Sequence, residues 1–419
     1  MKIVLVKPPF VSVKYGPPIG LAYISNVLKQ SGHDVTLIDM NIDLCNKFSD
    51  DVKYTRNYAI DPSDPRVKYA YENLEVYSEK IMELKPDIVV FNLSYPTEKY
   101  GVEMAAHMSK VVKCVAIGPL TLHRSKELFE HNSFHAVIVG YPEEAVIDVV
   151  NKNQRGIVKK ELIKGKEYLP DLTDVPISYY HGFLPIVSSR GCLNRCNFCT
   201  RNCEYYLFSI PNVIKQIQNH EKEDISQIFY YDSNININRD RTIELFTEIA
   251  KMDKQYKGHI FGLQIEDNFE EYLEKMAEAG VKEVRVGVES GSLRERISMN
   301  KRHFSNELIV RFIKELNKYK IHVWNQLIFC YPDQTDEDRQ SSIDLITELN
   351  TVCDPKYLKH TWFKFVVSNG KEEYFYKNYN VKRTTSLQNW ENHLYSPSKI
   401  ETLCRKYEEL LPENAEIWI

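Results

Sequence analysis

Long hydrophobic runs are missing from this chain. No stretch approaches the roughly 18 apolar residues that a membrane-spanning helix requires, so no membrane partner is expected. The opening Met1–Pro8 is interrupted by Lys7 and Pro8 too soon for a signal peptide, and a cytoplasmic setting is expected. Charge of one sign is scarce as well: 54 basic residues face 58 acidic ones, a formal net charge of -4. That balance supplies no field for a nucleic-acid backbone or an anionic membrane, and it makes nucleic acid the least favoured substrate. Low-complexity tracts are absent, and 43% hydrophobic with 27% charged residues is a globular composition. Nine cysteines in such a setting do not suggest a disulfide framework. Cys45, Cys114, Cys330, Cys353 and Cys404 are scattered singly, whereas the other four fall within twelve residues.

The length of 419 residues is generous for one core and comfortable for two domains. Up to about residue 155, short Val- and Ile-rich runs alternate with helical patterns. Strands are expected at Lys2–Val6, Val35–Ile38, Asp87–Phe91, Lys113–Ile117 and Ala136–Val139, as in a doubly wound, Rossmann-type parallel sheet. The polar, Tyr-rich stretch from Cys45 to about Lys80 reads as a partly helical insertion. Residues 156–180, with Pro170 and Pro176, read as a linker. From 181 to 368 the alternation resumes with strands at Leu184–Ser188, Gln227–Tyr231, His259–Gln264, Glu283–Val288, His322–Phe329 and Thr361–Val367. Six βα units in series predict an α/β partial (β/α)6 barrel, open rather than eight-fold. The small C-terminal region, 369–419, has no pattern that assigns its fold.

The four clustered cysteines lie in Arg190-Gly191-Cys192-Leu193-Asn194-Arg195-Cys196-Asn197-Phe198-Cys199 and, further on, Cys203. They follow the first strand of the second half, where parallel α/β folds place their chemistry. Three thiolates, Cys192, Cys196 and Cys199, can hold three irons of a cubane and leave the fourth iron open. A zinc site that adds Cys203 is a second reading, although zinc sites usually pair their cysteines in two separated couples. A ferredoxin-like four-cysteine cluster is a third reading, and it needs no attached barrel.

The C-x3-C-x2-C spacing, with Phe198 before the last cysteine, resembles the signature loop of the radical S-adenosylmethionine (SAM) superfamily. Tyr231-Asp232-Ser233-Asn234-Ile235 is similar to that family's second-strand end, and Gly287-Val288-Glu289-Ser290-Gly291 to its fourth-strand motif. Asn300-Lys301-Arg302 and the run from Tyr331 to Asp338 resemble later landmarks. The resemblance spans about residues 184–350 and implies a [4Fe-4S] cluster on the three cysteines, whose open iron takes the amino and carboxylate groups of SAM. It implies that Glu289 contacts SAM, with Ser233 and Gln264 as further candidates. Where the family carries Gly-x-Pro-Gly, this chain has Cys330-Tyr331-Pro332-Asp333, so the Cys330 thiol is a candidate hydrogen-atom donor or a packed small hydrophobe.

In the first half, Pro17-Pro18-Ile19-Gly20-Leu21, Gly32-His33-Asp34 and Asn92-Leu93-Ser94 resemble the cobalamin-binding domain fused to many radical SAM enzymes. That resemblance implies a corrin against the carboxyl ends of the strands, at Ser94, Gly118, Gly140 and Tyr141. The Asp-x-His-x-x-Gly motif that supplies an axial histidine in cobalamin mutases is absent. Together these likenesses imply a cobalamin-dependent radical SAM enzyme, foremost a methyltransferase acting on an unactivated carbon of a peptide or natural-product intermediate. An electron donor such as flavodoxin or ferredoxin is implied as partner. Alternatives are a radical SAM enzyme catalysing cyclisation, rearrangement, epimerisation or oxidation, and a non-catalytic iron–sulfur or zinc protein. Trp362, Phe363, Phe365, Trp390 and Tyr395 could line a pocket, although aromatics at such spacing are usually core.

Overall fold

A computed structural model describes residues 1–9, 16–48, 64–163, 166–173, 175, 177–180, 182–199, 205–220, 224–367, 370–383 and 390–418. Cys203 and the prolonged insertion between residues 49 and 63 lie outside the described residues. The chain divides into two compact units, residues 1–185 with 218–225, and residues 186–217 with 226–419.

In the first unit the expected strands form where β-branched residues cluster: β1 Lys2–Lys7, β2 Asp34–Asp39, β3 Ile88–Asn92, β4 Lys113–Ile117 and β5 Ala136–Val139. A sixth strand, β6 Gly156–Lys159, lies in the stretch expected to be a linker and corrects that expectation. The sheet order is β2-β1-β3-β4-β5-β6, with parallel pairing throughout. Residues following β6 fold back on this unit: Asn26 donates to the Leu169 carbonyl at 2.8 Å, Lys29 pairs with Asp171 at 2.7 Å, and Tyr180 donates to Asp39 at 2.8 Å. The insertion is helical where described, at Asn41–Phe48, Pro65–Glu72 and Leu74–Glu83. Its Leu44, Val67, Leu74 and Ile81 pack with Val4, Val89, Phe91 and Met104 in one core.

The second sheet starts in sequence with β7 Phe183–Ile186, and a short antiparallel ribbon, β8 Ser189–Arg190 with β9 Tyr206–Leu207, brackets the cysteine loop. Then come β10 Gln227–Tyr230, β11 Lys257–Leu263, β12 Val281–Glu289, β13 His322–Phe329 and β14 Leu358–Lys364. A second ribbon, β15 Lys382–Arg383 with β16 Trp390–Glu391, precedes β17 Ala415–Trp418. The sheet order β17-β14-β13-β12-β11-β10-β7 follows the chain, and the pairs from β10 through β17 are parallel. Six strands of it were expected, and β17, from the unassigned C-terminal region, is the seventh.

Along β12 the burial alternates: Val284, Val286 and Val288 are fully buried, whereas Glu283, Arg285, Gly287 and Glu289 are half-buried on the other face. A period of two thus splits one strand into a packing face and a face free for chemistry. Of the five aromatics that could line a pocket, four belong to the core, and Phe363 is half-buried. Trp362, Phe365, Trp390 and Tyr395 are buried, Trp362 donates to the Ile328 carbonyl at 2.8 Å, and Trp390 donates to that of Phe365 at 3.0 Å.

Candidate active site

Cys192, Cys196 and Cys199 line a cavity of about 250 Å³ at the carboxyl end of this second sheet, with Phe198, Ser233, Gln264 and Glu289. Seven of the residues expected from the sequence are therefore brought together. Asn194, Arg285, Gly287, Lys301 and Gln326 join them in the walls. Among the described residues, no three His, Cys, Asp or Glu side chains are arranged to hold a single metal ion. Three thiols spread around one cavity suit a cubane, which takes one thiolate per iron.

The loop is tied down at its middle. The backbone N–H of Asn197 donates to the Met299 carbonyl at 2.9 Å, and its side-chain amide to that of Ser298, also at 2.9 Å. Asn300 donates in return to the Arg195 carbonyl at 2.8 Å. One residue on, Lys301 reaches into the cavity and its ammonium meets the Glu289 carboxylate at 2.8 Å. Both side chains are nearly buried, 11% and 12% exposed. Burial alone would lower the Lys301 pKa, but Glu289 and Cys196 opposite it raise it above the usual lysine value. Burial likewise pushes the Cys196 thiol up to about 11, against the pull of Lys301. Glu289 itself has a φ of +68°, a left-handed conformation that costs a non-glycine residue energy and is typical of functional positions.

Strand β11 approaches closely at Gly262, where any Cβ would collide with the Ser233 carbonyl. This contact holds Ser233 and Asn234 at the cavity edge. Gln264 accepts two bonds from Arg302, both 2.6 Å, once its amide is oriented by its neighbours, and its NH2 then faces Asn194 and Asn234. Asp232, buried just before Ser233, points elsewhere: it accepts from Ser188 at 2.7 Å and Ser189 at 2.5 Å, fixing the chain that enters the cysteine loop. Burial holds its carboxyl above the usual range, against the hydrogen bonds from those serines.

Cys330 is not among the residues gathered around this cavity, which corrects the expectation of an active-site thiol there. It is fully buried, and burial drives its thiol pKa far up. Its φ of +57° explains why glycine suits this position, since only the bare backbone turns there without strain.

In the first unit, Ser94 follows β3, Gly118 follows β4, and Gly140 and Tyr141 follow β5, so all four occupy the carboxyl edge of one parallel sheet. Gly118 (φ +104°) presses its backbone on Asn92 and Leu93, where a Cβ could not fit. Gly140 (φ +88°) is the opposite case: a Cβ would meet nothing within 4 Å, leaving bare backbone beside open space.

The sequence readings gave no role to Lys301, Arg285 or Gln326. A usable signal existed for Arg285, since alternation puts it on the same strand face as Gly287 and Glu289. Gln326 needed the register, which sets it opposite Gly287 on β13.

Residues 186–346 match the family model described as the radical SAM superfamily. The chain carries a radical SAM domain. The cysteines, Glu289 and Lys301 all belong to that radical SAM domain. Over 394 residues the chain is 24% identical to an uncharacterized methyltransferase of Pyrococcus horikoshii, covering 84% of this chain and 78% of the relative. It is 25% identical over 308 residues to a tRNA-2-methylthio-N(6)-dimethylallyladenosine synthase of Psychrobacter cryohalolentis, which spans 66% of this chain but 56% of the relative. Among solved structures it resembles the radical SAM methyltransferase TsrM of Kitasatospora setae, determined with cobalamin and a [4Fe-4S] cluster bound. The TM-score is 0.66 at 15% identity, over 86% of this chain and 71% of TsrM, a likeness of fold. Among the described residues, no helix is long and apolar enough to cross a membrane.

Proposed function

We propose that this chain is a cobalamin-dependent radical SAM methyltransferase acting on an unactivated carbon of a small molecule or peptide. The observation that carries the reading is the single cavity shared by Cys192, Cys196, Cys199 and the buried Glu289–Lys301 pair. The three thiolates would hold a [4Fe-4S] cluster, and the cavity walls would receive SAM beside it. When bound, that pair of cofactors supplies one-electron chemistry able to activate a carbon–hydrogen bond.

The protein's own part is placement. Glu289 and Lys301 hold fixed opposite charges at the cavity wall, ready for the ammonium and carboxylate ends of an amino acid group. Ser233, Asn234 and Gln264 offer polar atoms along the adjacent edge, and Phe198 closes the loop side against water. In the first unit, the open backbone at Gly140 and the carboxyl-edge position of Ser94, Gly118 and Tyr141 fit a flat corrin laid against strand ends. Methyl transfer is favoured by the Pyrococcus methyltransferase and by the fold shared with TsrM. A flavodoxin or ferredoxin is the electron donor this chemistry requires.

The test is anaerobic reconstitution with iron, sulfide and hydroxocobalamin, followed by desalting and a visible spectrum. Retained corrin absorbance, beside cluster absorbance lost in Cys196→Ala, is the expected result. With substrate candidates, S-adenosylhomocysteine, deoxyadenosine and a product heavier by one methyl group should appear together. Deoxyadenosine without S-adenosylhomocysteine or methylated product would replace methyl transfer by another radical reaction.

A further inference from the structure

The short helix Leu293–Ser298 keeps an apolar face open to solvent. Leu293 and Ile297, one turn apart on the same side, are 47% and 48% exposed, while Glu295 and Arg296 between them are buried. The cysteine loop adds Leu193, which is 62% exposed. Loop and helix end are bonded to each other, through Asn197 to Met299 and Ser298 and through Asn300 to the Arg195 carbonyl. Tyr379 meets Ser298 at 3.0 Å, and the exposed Tyr376 lies one turn before it. A single exposed leucine is ordinary, but four large apolar side chains around one junction mark an interaction surface.

Cations rim this patch. Arg294 and Arg302 are half-exposed, whereas Asp338, Asp333 and Glu266, the carboxylates that hold them, lie deeper. Arg195 is exposed too, and no carboxylate pairs with it among the described residues. The outermost charges here are therefore positive, in a chain whose net charge is -4. The rim also lies close to the chemistry. Arg195 and Asn197 flank Cys196 on either side, so their hydrogen bonds tie the helix end to the backbone beside a cluster thiol.

We propose that Leu193, Arg195, Leu293, Arg294, Ile297 and Arg302 form the docking surface for the one-electron donor, a small protein with an acidic face around its redox group. Redox encounters use small interfaces, and opposite charge speeds them while a few apolar contacts fix the approach. The carrier is oxidised by one electron, the cluster at Cys196 is reduced by one, and no bond forms or breaks. A symmetric contact between two copies fits less well, since it would set the arginine rim against itself. This rests on the reading of the cysteine loop as the cluster site of a radical SAM enzyme.

The full chain, reconstituted with iron and sulfide, is mixed anaerobically with reduced flavodoxin or ferredoxin in a stopped-flow cell, with dithionite as the small reductant. Loss of the oxidised cluster's absorbance gives the rate. With the faster carrier this rate should fall at least about tenfold between roughly 0.05 and 0.5 M salt. Arg195→Glu and Ile297→Glu should each slow that carrier about tenfold and leave the dithionite rate unchanged, which shows the cluster and fold intact. Val352→Glu, an exposed apolar position at the far end of the helix whose Asp338 holds Arg294, should slow neither. Calorimetry with the oxidised carrier reads binding on the same chains without iron. A carrier rate that ignores salt and both substitutions, reduction by dithionite alone, or a dimer that Ile297→Glu splits would overturn the proposal. A chain that builds no cluster refutes the active-site reading instead, and calorimetry then decides the surface. Binding weakened by both substitutions keeps it, and absence of binding removes it.

Discussion

The most telling residues in this molecule are the ones whose chemistry and backbone disagree. Glu289 and Cys330 both adopt positive φ, +68° and +57°, at the ends of adjacent strands. At Glu289 the strained residue carries a carboxylate against Lys301 in the cavity. At Cys330 it carries a thiol into the core. Replacing Cys330 by glycine should relieve the left-handed strain while losing the buried sulfur, two opposing terms each on the order of 1 kcal/mol. A denaturant melt should therefore shift little, and reconstituted Cys330→Gly should keep its cluster spectrum. A variant with an intact cluster and no radical chemistry would return the thiol to the mechanism. The Glu289–Lys301 pair behaves differently, because a largely buried charge deprived of its partner has little water to turn to. Lys301→Met should cost about 3 kcal/mol, measured by urea unfolding of the unloaded chain, and Glu289→Gln added to it should recover much of that loss. Two costs that simply add would show that the ions are not coupled.

At the scale of elements, helix caps and strand ends fix the geometry around the cavity. The helix Asp336–Val352 starts in a capping box in which Thr335 and Asp338 bond reciprocally. Asp338 also receives Ser292 at 2.5 Å and the Arg294 guanidinium, so it joins the turn after β13 to the turn after β12. Burial would raise the Asp338 pKa, but Arg294, Ser292 and the Thr335 backbone bring it down to about 2. A carboxyl depressed in the folded state stabilises the protein above its unfolded pKa and loses that contribution as pH falls through the folded one. About 2 kcal/mol of stability should thus disappear between roughly pH 4 and pH 2, and Asp338→Asn should flatten this part of the urea-stability profile. An unchanged acid limb in the variant would disconnect Asp338 from that loss.

Much of this element structure is legible in the sequence, for reasons that individual strands make plain. β1, β4 and β5 are short, mostly apolar runs buried on both faces, β13 alternates before ending in a buried apolar run, and their expected ends fall within a residue of those observed. β6 and β17 are not legible. Each is four residues long at a sheet edge, where one neighbour suffices and polar residues are tolerated, so Gly156–Lys159 and Ala415–Trp418 carry too little apolar pattern to stand out. The site divides the same way. Cys192, Cys196, Cys199 and Glu289 are marked by spacing and motif. Arg285 is legible through the alternation along β12 and Lys301 through its landmark tripeptide, but Gln326 joins them only through the register of β12 on β13, which no local pattern encodes.

For the molecule as a whole, the consequence lies in where the first unit ends. A boundary at residue 155, where the helical pattern gives out, would leave β5 with an open edge in place of its four-residue pairing to β6. It would also remove the Tyr180 hydroxyl from Asp39, which is held as well by Lys7 at 3.4 Å. Tyr180 is fully buried, so its loss opens the core rather than trimming the surface. Glu144 would lose both Lys166 and Tyr168, each at 2.6 Å. Burial of one large aromatic with its hydrogen bond is worth about 2–4 kcal/mol, a sizeable share of the stability of a domain this size. A fragment of residues 1–185 should therefore outlast one of residues 1–155, which should melt several degrees lower or aggregate through the bared edge of β5. Circular dichroism melts of the two fragments at equal concentration decide it. If they coincide, residues 156–185 are a passive connection after all, and the contacts of Leu169, Asp171 and Tyr180 contribute nothing that the first five strands do not already supply.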